Sequence, residues 1–182
     1  MSRIAFVKSK TDVPAEHQDV FDYALKTFNG KLQGPFSVLL HSPEMAQHFL
    51  GIVNYNRSKS VVSQKDRSLA ALTAAAEGEG QYIWYAQARA ARQNGFRDEL
   101  IELIRVKGDP AKLPEEERDV VSYVQQFMRK RDVDRATFDA LQKRHGTKWL
   151  VELTLTAGFF GLLSGVVTTF EVPVPEGGER LR

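Results

Sequence analysis

Four polar or aromatic side chains that could contact a small organic molecule cluster in one short segment: Tyr82, Trp84, Tyr85 and Gln87. Phenol, indole and amide groups donate hydrogen bonds from walls that are otherwise apolar, which is the usual composition of a ligand pocket. Gln87 could orient a substrate, and Arg89, one turn after Tyr85, could hold a substrate carboxylate in a bidentate contact. The segment therefore favours a site for a flat organic molecule, with polarisation by hydrogen bonds as its chemistry.

Each of these side chains also has a purely structural interpretation. Tyr82, Trp84 and Tyr85 could pack in the core with their polar atoms bonded to neighbours. Gln87 could be a buried amide satisfied by another helix. Arg89 could form a surface ion pair or simply be solvated.

The four histidines offer one further candidate for acid–base chemistry. His41 stands before Ser42-Pro43 at a helix junction, and imidazole exchanges protons near neutral pH. The alternative is a helix-end histidine that bonds to a backbone carbonyl. His17, His48 and His145 lie in charged segments, so we expect them at the surface. No two histidines have the spacing of a His-Glu-x-x-His zinc site, and we expect no metal.

The composition is that of an ordinary globular chain: 182 residues, 42% hydrophobic, 26% charged, with a net charge of +2. The basic residues are scattered, so we expect neither nucleic acid nor a membrane as a partner. The chain has no cysteine, which excludes disulfides, cysteine metal sites and a cysteine nucleophile. Residues 1–8 contain no long apolar stretch of the kind found in signal peptides, and we expect a cytoplasmic protein.

Helix start and stop signals recur along the chain, and no long strand-like alternation interrupts them. Ser63 reads as an N-cap with an acidic partner at Asp66, and Gly95 reads as a helix end. The clearest predicted helices are 14–28, 81–94, 114–130 and 149–170. We therefore predict an all-α fold of about seven or eight helices, in a single domain over residues 1–182 with its core at about 13–177.

One stretch, residues 153–170, is uncharged over 18 residues and is at the lower length limit for a membrane span. Threonine, serine and glycine dilute its hydrophobicity. We expect a buried helix or an oligomer interface instead, because Gly158, Gly161 and Gly165 would allow another helix to approach closely.

The order of residues from Arg67 to Gly95 resembles the two-helix core motif of the carboxymuconolactone decarboxylase / AhpD-like alkylhydroperoxidase superfamily. The motif runs Leu-x-x-Leu, Ala-Ala-Ala, a short acidic turn, Trp-Tyr-Ala and Ala-x-x-x-Gly. Residues 39–44 resemble the upstream helix junction of this superfamily, and residues 158–160 and 170–175 resemble its closing helix and tail. The resemblance implies an AhpD-like helical domain over nearly the whole chain.

The departures from that motif concern its chemistry. The alkylhydroperoxidase branch begins this helix with Cys-x-x-Cys-x-x-x-His and carries an acidic residue one helix earlier. Counted back from Gly95, those positions hold Gly80, Ile83, Gln87 and Ser68. A peroxidase of this type needs a thiolate and a base, so we expect no thiol peroxidase activity. The decarboxylase branch usually has Glu and His where this chain has Ile83 and Gln87, so that acid–base pair is missing too.

Two hypotheses follow. The first is a cofactor-free lyase or isomerase for a small carbonyl, lactone or carboxylate compound, of the kind met in aromatic-compound catabolism. The second is a non-catalytic small-molecule-binding or stress-associated protein. We expect the site where helix 81–94 faces helix 149–170, and the resemblance also implies a homo-oligomer, a trimer or hexamer. The candidate catalytic residues are Gln87, Tyr82 and His41, and the candidate substrate-binding residues are Trp84, Tyr85, Ile83, Arg89, Phe159 and Phe160.

Overall fold

The computed structural model describes residues 2–32 and 34–181, and within these ranges it contains α-helices and short 3₁₀ turns but no strand. The predicted all-α class is confirmed. The described residues form nine α-helices, and one of these is a single turn of four residues. The backbone groups into two compact units, Met1–Lys59 with Thr169–Pro173, and Ser60–Thr168 with Val174–Arg182.

The first unit contains α1 (Gln18–Thr27), α2 (Phe36–Leu39) and α3 (Pro43–Ser58). The helix expected over 14–28 begins instead as a 3₁₀ turn, Ala15–His17, before α1. Pro43 occupies the first turn of α3, where the missing N–H of proline costs nothing. The core of this unit is small and apolar, with Phe21, Phe36 and Leu50 buried among its members.

The second unit holds the remaining helices, in chain order α4 (Gln64–Glu77), α5 (Gln81–Gln93), α6 (Asp98–Arg105), α7 (Glu115–Lys130), α8 (Arg135–His145) and α9 (Thr147–Thr169), except that Thr169 belongs to the first unit. Helix α4 lies at its centre. Eight consecutive α4 residues, Leu69 to Ala76, are buried, and most of them are small. Their short side chains let α5 and α7 pack closely against α4.

Local signals in the sequence set several helix ends as expected. The side chain of Ser63 accepts a hydrogen bond from the backbone N–H of Asp66 at 3.0 Å, and Asp134 accepts one from Thr137 at 2.9 Å. Gly95 follows α5 with a φ of +80°, the left-handed conformation that glycine adopts without strain. Gly95 thus marks the C-terminal end of α5, the helix that carries most of the candidate site.

Helix α9 is apolar on every side and is long enough to cross a membrane by length and composition. Half of its most apolar 18-residue window is buried within the chain. Glu152 fixes its first half, because its Oε2 accepts hydrogen bonds from Ser60 Oγ at 2.7 Å and from the N–H of Val61 at 2.9 Å. Its opposite side leaves Val151 and Leu155 exposed.

Candidate functional site

Helix α5 presents one face to the core of its unit. Ile83, Trp84, Ala88 and Ala91 on this face are buried. The Trp84 side chain is fully buried in the main hydrophobic cluster, and its indole Nε1 has no hydrogen-bond partner among the described residues. Trp84 therefore contributes to core packing, and its N–H is an unsatisfied donor inside the unit.

The start of α5 lies directly against α9. A Cβ built on Gly80 would be 2.5 Å from Ser164 Cβ and 2.6 Å from Ser164 Cα. A Cβ built on Gly78 would also be within 2.9 Å of Ser164 Cβ. Ser164 is fully buried, and its hydroxyl donates to the Phe160 carbonyl at 2.9 Å. The space beside Gly80, which by the resemblance corresponds to the first cysteine of the alkylhydroperoxidase motif, is thus filled by the backbone and side chain of α9.

Ile83 and Gln87, at the second-cysteine and histidine positions of that motif, lie on one arc of α5. Four residues apart, Ile83 and Gln87 differ by about 40° around the helix. Ile83 is 3% exposed and Gln87 is half-buried. The Gln87 amide makes no hydrogen bond within the described ranges, whereas the buried Gln125 amide of α7 donates to the Gly108 carbonyl at 3.0 Å. The structure therefore does not support the structural interpretation of Gln87, in which another helix satisfies its amide.

Tyr82 and Tyr85 form an edge-to-face pair, with ring centroids 6.2 Å apart and planes at 65°. Burial raises the pKa of the Tyr82 phenol above its ordinary value of 10.0, and the neighbouring Tyr85 raises it further. Tyr82 is therefore a protonated hydrogen-bond donor at neutral pH. Its hydroxyl, like that of Tyr85, has no hydrogen-bond partner in the part of the chain that the structure describes.

Tyr82 and Gln87 lie about 140° apart around α5, so they do not share one narrow face. The half-buried Ala86 and Ala90 lie in the arc between them, together with the buried Ile83. The helix thus offers a low apolar surface, with a phenol along one border and an amide along the other. A flat molecule lying on that surface could contact both polar groups.

The remaining candidate site residues lie on different elements. Arg89 is exposed and forms no ion pair among the described residues. His41 belongs to the first unit. Its Nε2 lies 2.8 Å from the Ala5 carbonyl oxygen, which is the backbone-carbonyl contact expected if the role of His41 is structural. On α9, Phe159 is buried and Phe160 half-buried, and their rings meet edge to face at 5.6 Å.

The C-terminal segment lies along another side of α5, which sequence reasoning did not anticipate beyond an extended tail. The Leu181 N–H donates to Gln81 Oε1 at 2.9 Å, and Arg92 pairs with Glu179. A Cβ on Gly178 would be 2.9 Å from Tyr85 Cδ2, so the tail backbone contacts the Tyr85 ring. The tail therefore covers the side of α5 that carries Gln81, Tyr85 and Arg92.

Two ion pairs fix the turn that joins α4 to α5. Arg129 on α7 donates to both carboxylate oxygens of Glu77, whose side chain is 5% exposed. Lys107 pairs with Glu79 at 2.6 Å. The Gly78-x-Gly80 spacing is the sequence signal for this tightly packed turn, although it does not identify Ser164 as the neighbour.

Outside α5, the described residues contain no second cluster of side chains suited to catalysis or metal binding. They contain no group of three or more histidine, aspartate or glutamate side chains that could hold a metal ion. A surface cavity of about 430 Å³ lies at the start of α7, away from the α5 candidates. Apart from the exposed Glu116, its charged lining is already paired, Glu117 with Arg97 and Lys65, and Glu115 with Arg144.

Comparison with known proteins agrees with the motif and the fold. Residues 43–126 match the family model described as the carboxymuconolactone decarboxylase family. No curated protein matches the chain. Because the matched residues run from α3 into α7, they include all of α5.

Three solved structures share the fold. An uncharacterized peroxidase-related protein from Ralstonia eutropha JMP134, described as an alkylhydroperoxidase AhpD core, has a TM-score of 0.76 at 17% identity, covering 97% of this chain and 93% of its own. An uncharacterized peroxidase-related protein from Silicibacter sp. TM1040 has a TM-score of 0.74 at 18% identity, covering 100% and 96%. A protein of unknown function from Agrobacterium tumefaciens has 0.68 at 17%, covering 79% and 99%. At these identities the likeness shows an AhpD-like fold and no more.

Proposed function

Because residues 43–126 match the carboxymuconolactone decarboxylase family model, the fold is AhpD-like and the chain has no cysteine, we propose that the chain acts on a small organic molecule without thiol chemistry. The proposed activity is that of a cofactor-free lyase or isomerase for a carbonyl, lactone or carboxylate compound. The proposal includes the cytoplasmic location expected from the sequence.

The observation that carries this proposal is that two polar side chains on α5 lack hydrogen-bond partners among the described residues. Tyr82 and Gln87 are half-buried, yet neither has a hydrogen-bond partner among the described residues. Other polar side chains of the same unit are engaged: Tyr123 with Thr154 at 2.6 Å, and Gln125 with Gly108. Half-buried donors without internal partners are what a site for a polar ligand atom requires.

Catalysis at such a site would depend on hydrogen bonding and not on a strong base. The Tyr82 phenol, kept protonated by burial, could donate to a carbonyl or lactone oxygen as negative charge develops there. The Gln87 amide could donate to a second oxygen and accept from a hydroxyl, which would orient the molecule on Ala86 and Ala90. Ile83, Phe159 and Phe160 are the proposed apolar walls.

A second candidate function is ligand binding without conversion. It is favoured by the contact between Gly80 and Ser164, which leaves no room for a side chain at the first cysteine position of the motif. It is also favoured by Ile83 and Gln87, which do not titrate, at the second-cysteine and histidine positions. A protein of this kind would keep the α5 surface as a sensor or carrier site.

A thermal-shift panel of aromatic carboxylates and lactones, followed by product analysis, tests both functions. A stabilising ligand that is converted supports the lyase or isomerase. A stabilising ligand that is recovered unchanged supports binding alone. If no compound of either class shifts the melting temperature, the proposed substrate class is wrong.

A further inference from the structure

Residues 178–181, here called the strap, lie along one side of α5. Gly178 contacts the Tyr85 ring, because a Cβ built on this glycine would be 2.9 Å from Tyr85 Cδ2. Three residues later, the Leu181 N–H donates to Gln81 Oε1 at 2.9 Å. The strap therefore runs antiparallel to α5, towards the start of the helix.

Few contacts hold the strap on α5, and most of them are reached by solvent. Among the described residues, the N–H of Leu181 is the one backbone group of the strap that bonds to α5. Glu179 pairs with Arg92, and their side chains are 30% and 43% exposed, so water and salt weaken this pair. The Leu181 side chain is half-buried at the edge of the main hydrophobic cluster. A segment held in this way opens more readily than the helices beside it.

Release of the strap would leave no buried charge without a partner. Arg92 would keep its second carboxylate, since its Nε also contacts Asp98 at 2.9 Å. Glu179 and the half-buried Gln81 amide would exchange their partners for water. A closed and an open form of the strap can therefore coexist while α5 stays intact.

Docking of the strap depends on the absence of a side chain at position 178. A Cβ built there would be 2.6 Å from Val174 Cγ1 and 2.8 Å from the Pro175 carbonyl oxygen, in addition to its contact with Tyr85. The Pro175 oxygen cannot move aside easily, because it accepts the Gly178 N–H at 2.9 Å in the turn that leads into the strap. Only glycine lets the strap backbone lie this close to the Tyr85 ring.

The strap also bears on the candidate site, because the Tyr85 ring lies between the strap and Tyr82. The two tyrosine rings meet edge to face at 6.2 Å. Around α5, Gln81, Tyr85 and Arg92 fall within about 40°, and Tyr82 follows about 60° beyond Tyr85. The side that the strap covers therefore borders the Tyr82 phenol.

We propose that the strap is a detachable cover of α5, which holds the Tyr85 ring against Tyr82 and limits access to both phenols. Its docking is independent of the proposed function. Only its effect on ligand entry rests on the assignment of the α5 surface as a binding site. In the open form, the border of that surface would be free to admit a small organic molecule.

Nitration of the full-length chain by tetranitromethane, mapped by mass spectrometry, measures access to each phenol. The chain has no cysteine, the residue that would compete for this reagent. We expect Gly178→Ala to raise the nitration rates of Tyr85 and Tyr82 by about tenfold or more, because overpacking displaces the strap. Glu179→Gln should raise both rates about two- to fivefold, as the loss of a partly exposed ion pair predicts.

The matched control is Glu176→Gln, which removes the same charge just before the strap. Glu176 is exposed and forms no ion pair among the described residues, so both rates should stay at their native values. Tyr23 and Tyr55, 37% and 39% exposed, should react at the native rate in every variant. Tyr123, which is 4% exposed, should stay unreactive and so report that the fold is intact.

A charge exchange tests the contact that holds the strap. Glu179→Arg should raise the nitration rate of Tyr85, because it places two cations together. The double variant Arg92→Glu/Glu179→Arg should return that rate towards the native value, since the pair is rebuilt with opposite polarity. A general effect of the substitutions on stability would not be reversed in this way.

Four results would overturn the proposal. One is a Tyr85 nitration rate that neither Gly178→Ala nor Glu179→Gln changes. Another is a rise that Glu176→Gln reproduces. A third is a rise at Tyr85 alone, which would separate the strap from Tyr82. The last is reaction of Tyr123 with loss of helical content in Gly178→Ala, which would make the strap part of the core. No ligand is added, so these outcomes are independent of the thermal-shift panel that tests the proposed function.

Discussion

Gly80 and Ser164 lie so close together that no side chain fits between α5 and α9 at this point: a Cβ on Gly80 would be 2.5 Å from the Cβ of Ser164. The Cα of Ser164 would be only 2.6 Å away, so the obstacle includes backbone. By the sequence resemblance, position 80 corresponds to the first cysteine of the alkylhydroperoxidase motif. In this chain the space beside it is occupied by helix packing.

This contact predicts that even a methyl group at position 80 is costly. Gly80→Ala should reduce the free energy of unfolding by about 1–3 kcal/mol through overpacking. Gly51→Ala is the matched control, because a Cβ on Gly51 in α3 would meet nothing within 4 Å. That variant should be neutral or stabilising by up to about 1 kcal/mol, since alanine is the better helix former. Chemical denaturation of both variants checks this, and equal stabilities would contradict the close contact.

We also predict that the native chain has no thiol-linked peroxidase activity and that simple replacement does not restore it. Gly80→Cys/Ile83→Cys supplies both sulfur atoms, but the Cβ at position 80 has no room. The double variant should be destabilised and inactive in a dithiol-coupled peroxide assay. Ile83→Cys alone places a smaller side chain in existing space and serves as the folding control. Peroxide turnover by the native chain, or by a stably folded double variant, would refute the prediction.

The ion pair between Glu77 and Arg129 should stabilise the turn that leads into α5. Arg129→Ala leaves the nearly buried Glu77 carboxylate without its two hydrogen bonds. We expect a loss of about 1–3 kcal/mol, less than for a fully buried pair, because the arginine side chain is 45% exposed. Lys107→Ala removes the exposed neighbouring pair with Glu79 and should cost less than about 1 kcal/mol. Equal losses for the two variants would contradict this assignment.

Tyr82 should make the chain less stable at alkaline pH. In the unfolded chain its phenol ionises near the ordinary pKa of 10.0, whereas burial raises the pKa in the folded chain. Unfolding between these two pKa values releases a proton, so the free energy of unfolding falls as pH rises through that window. Tyr82→Phe should remove this part of the decline and leave stability at neutral pH nearly unchanged.

Tyr123→Phe is the control for that titration. It deletes a hydrogen bond to Thr154, so it should lower stability at neutral pH as well. Denaturation at several pH values distinguishes the two tyrosines. If the native chain and Tyr82→Phe showed the same alkaline decline, the Tyr82 phenol would not be the buried donor that the proposed function requires.

The fold was largely predictable because its signals are local. The cap at Ser63 needs only a serine and the N–H three residues later, and Gly95 needs only its own backbone freedom. The motif from Arg67 to Gly95 placed α4 and α5 correctly for the same reason. The 3₁₀ turn before α1 was missed, since short 3₁₀ and α turns share sequence preferences.

The candidate site was less predictable because it depends on contacts between distant residues. Ser164 lies 84 residues after Gly80, and the sequence around neither residue predicts a contact with the other. The same holds for the tail, where the Leu181 N–H reaches Gln81 across 100 residues. Helix periodicity placed Ile83 and Gln87 on one arc of α5, but the lack of internal partners of Gln87 and Tyr82 could be seen only in the structure.

The measurement that tests the central claim most directly is the ligand response of Gln87→Ala, with Gln125→Ala as the matched control. If Gln87 serves the site, its replacement should leave the melting temperature unchanged. It should also abolish the ligand-induced shift or lower turnover by one to three decades, about 2–4 kcal/mol in the barrier. Gln125→Ala, which deletes the bond to Gly108, should lower the melting temperature and leave the ligand response intact. A Gln87→Ala variant that behaves in the same way as Gln125→Ala would contradict the account.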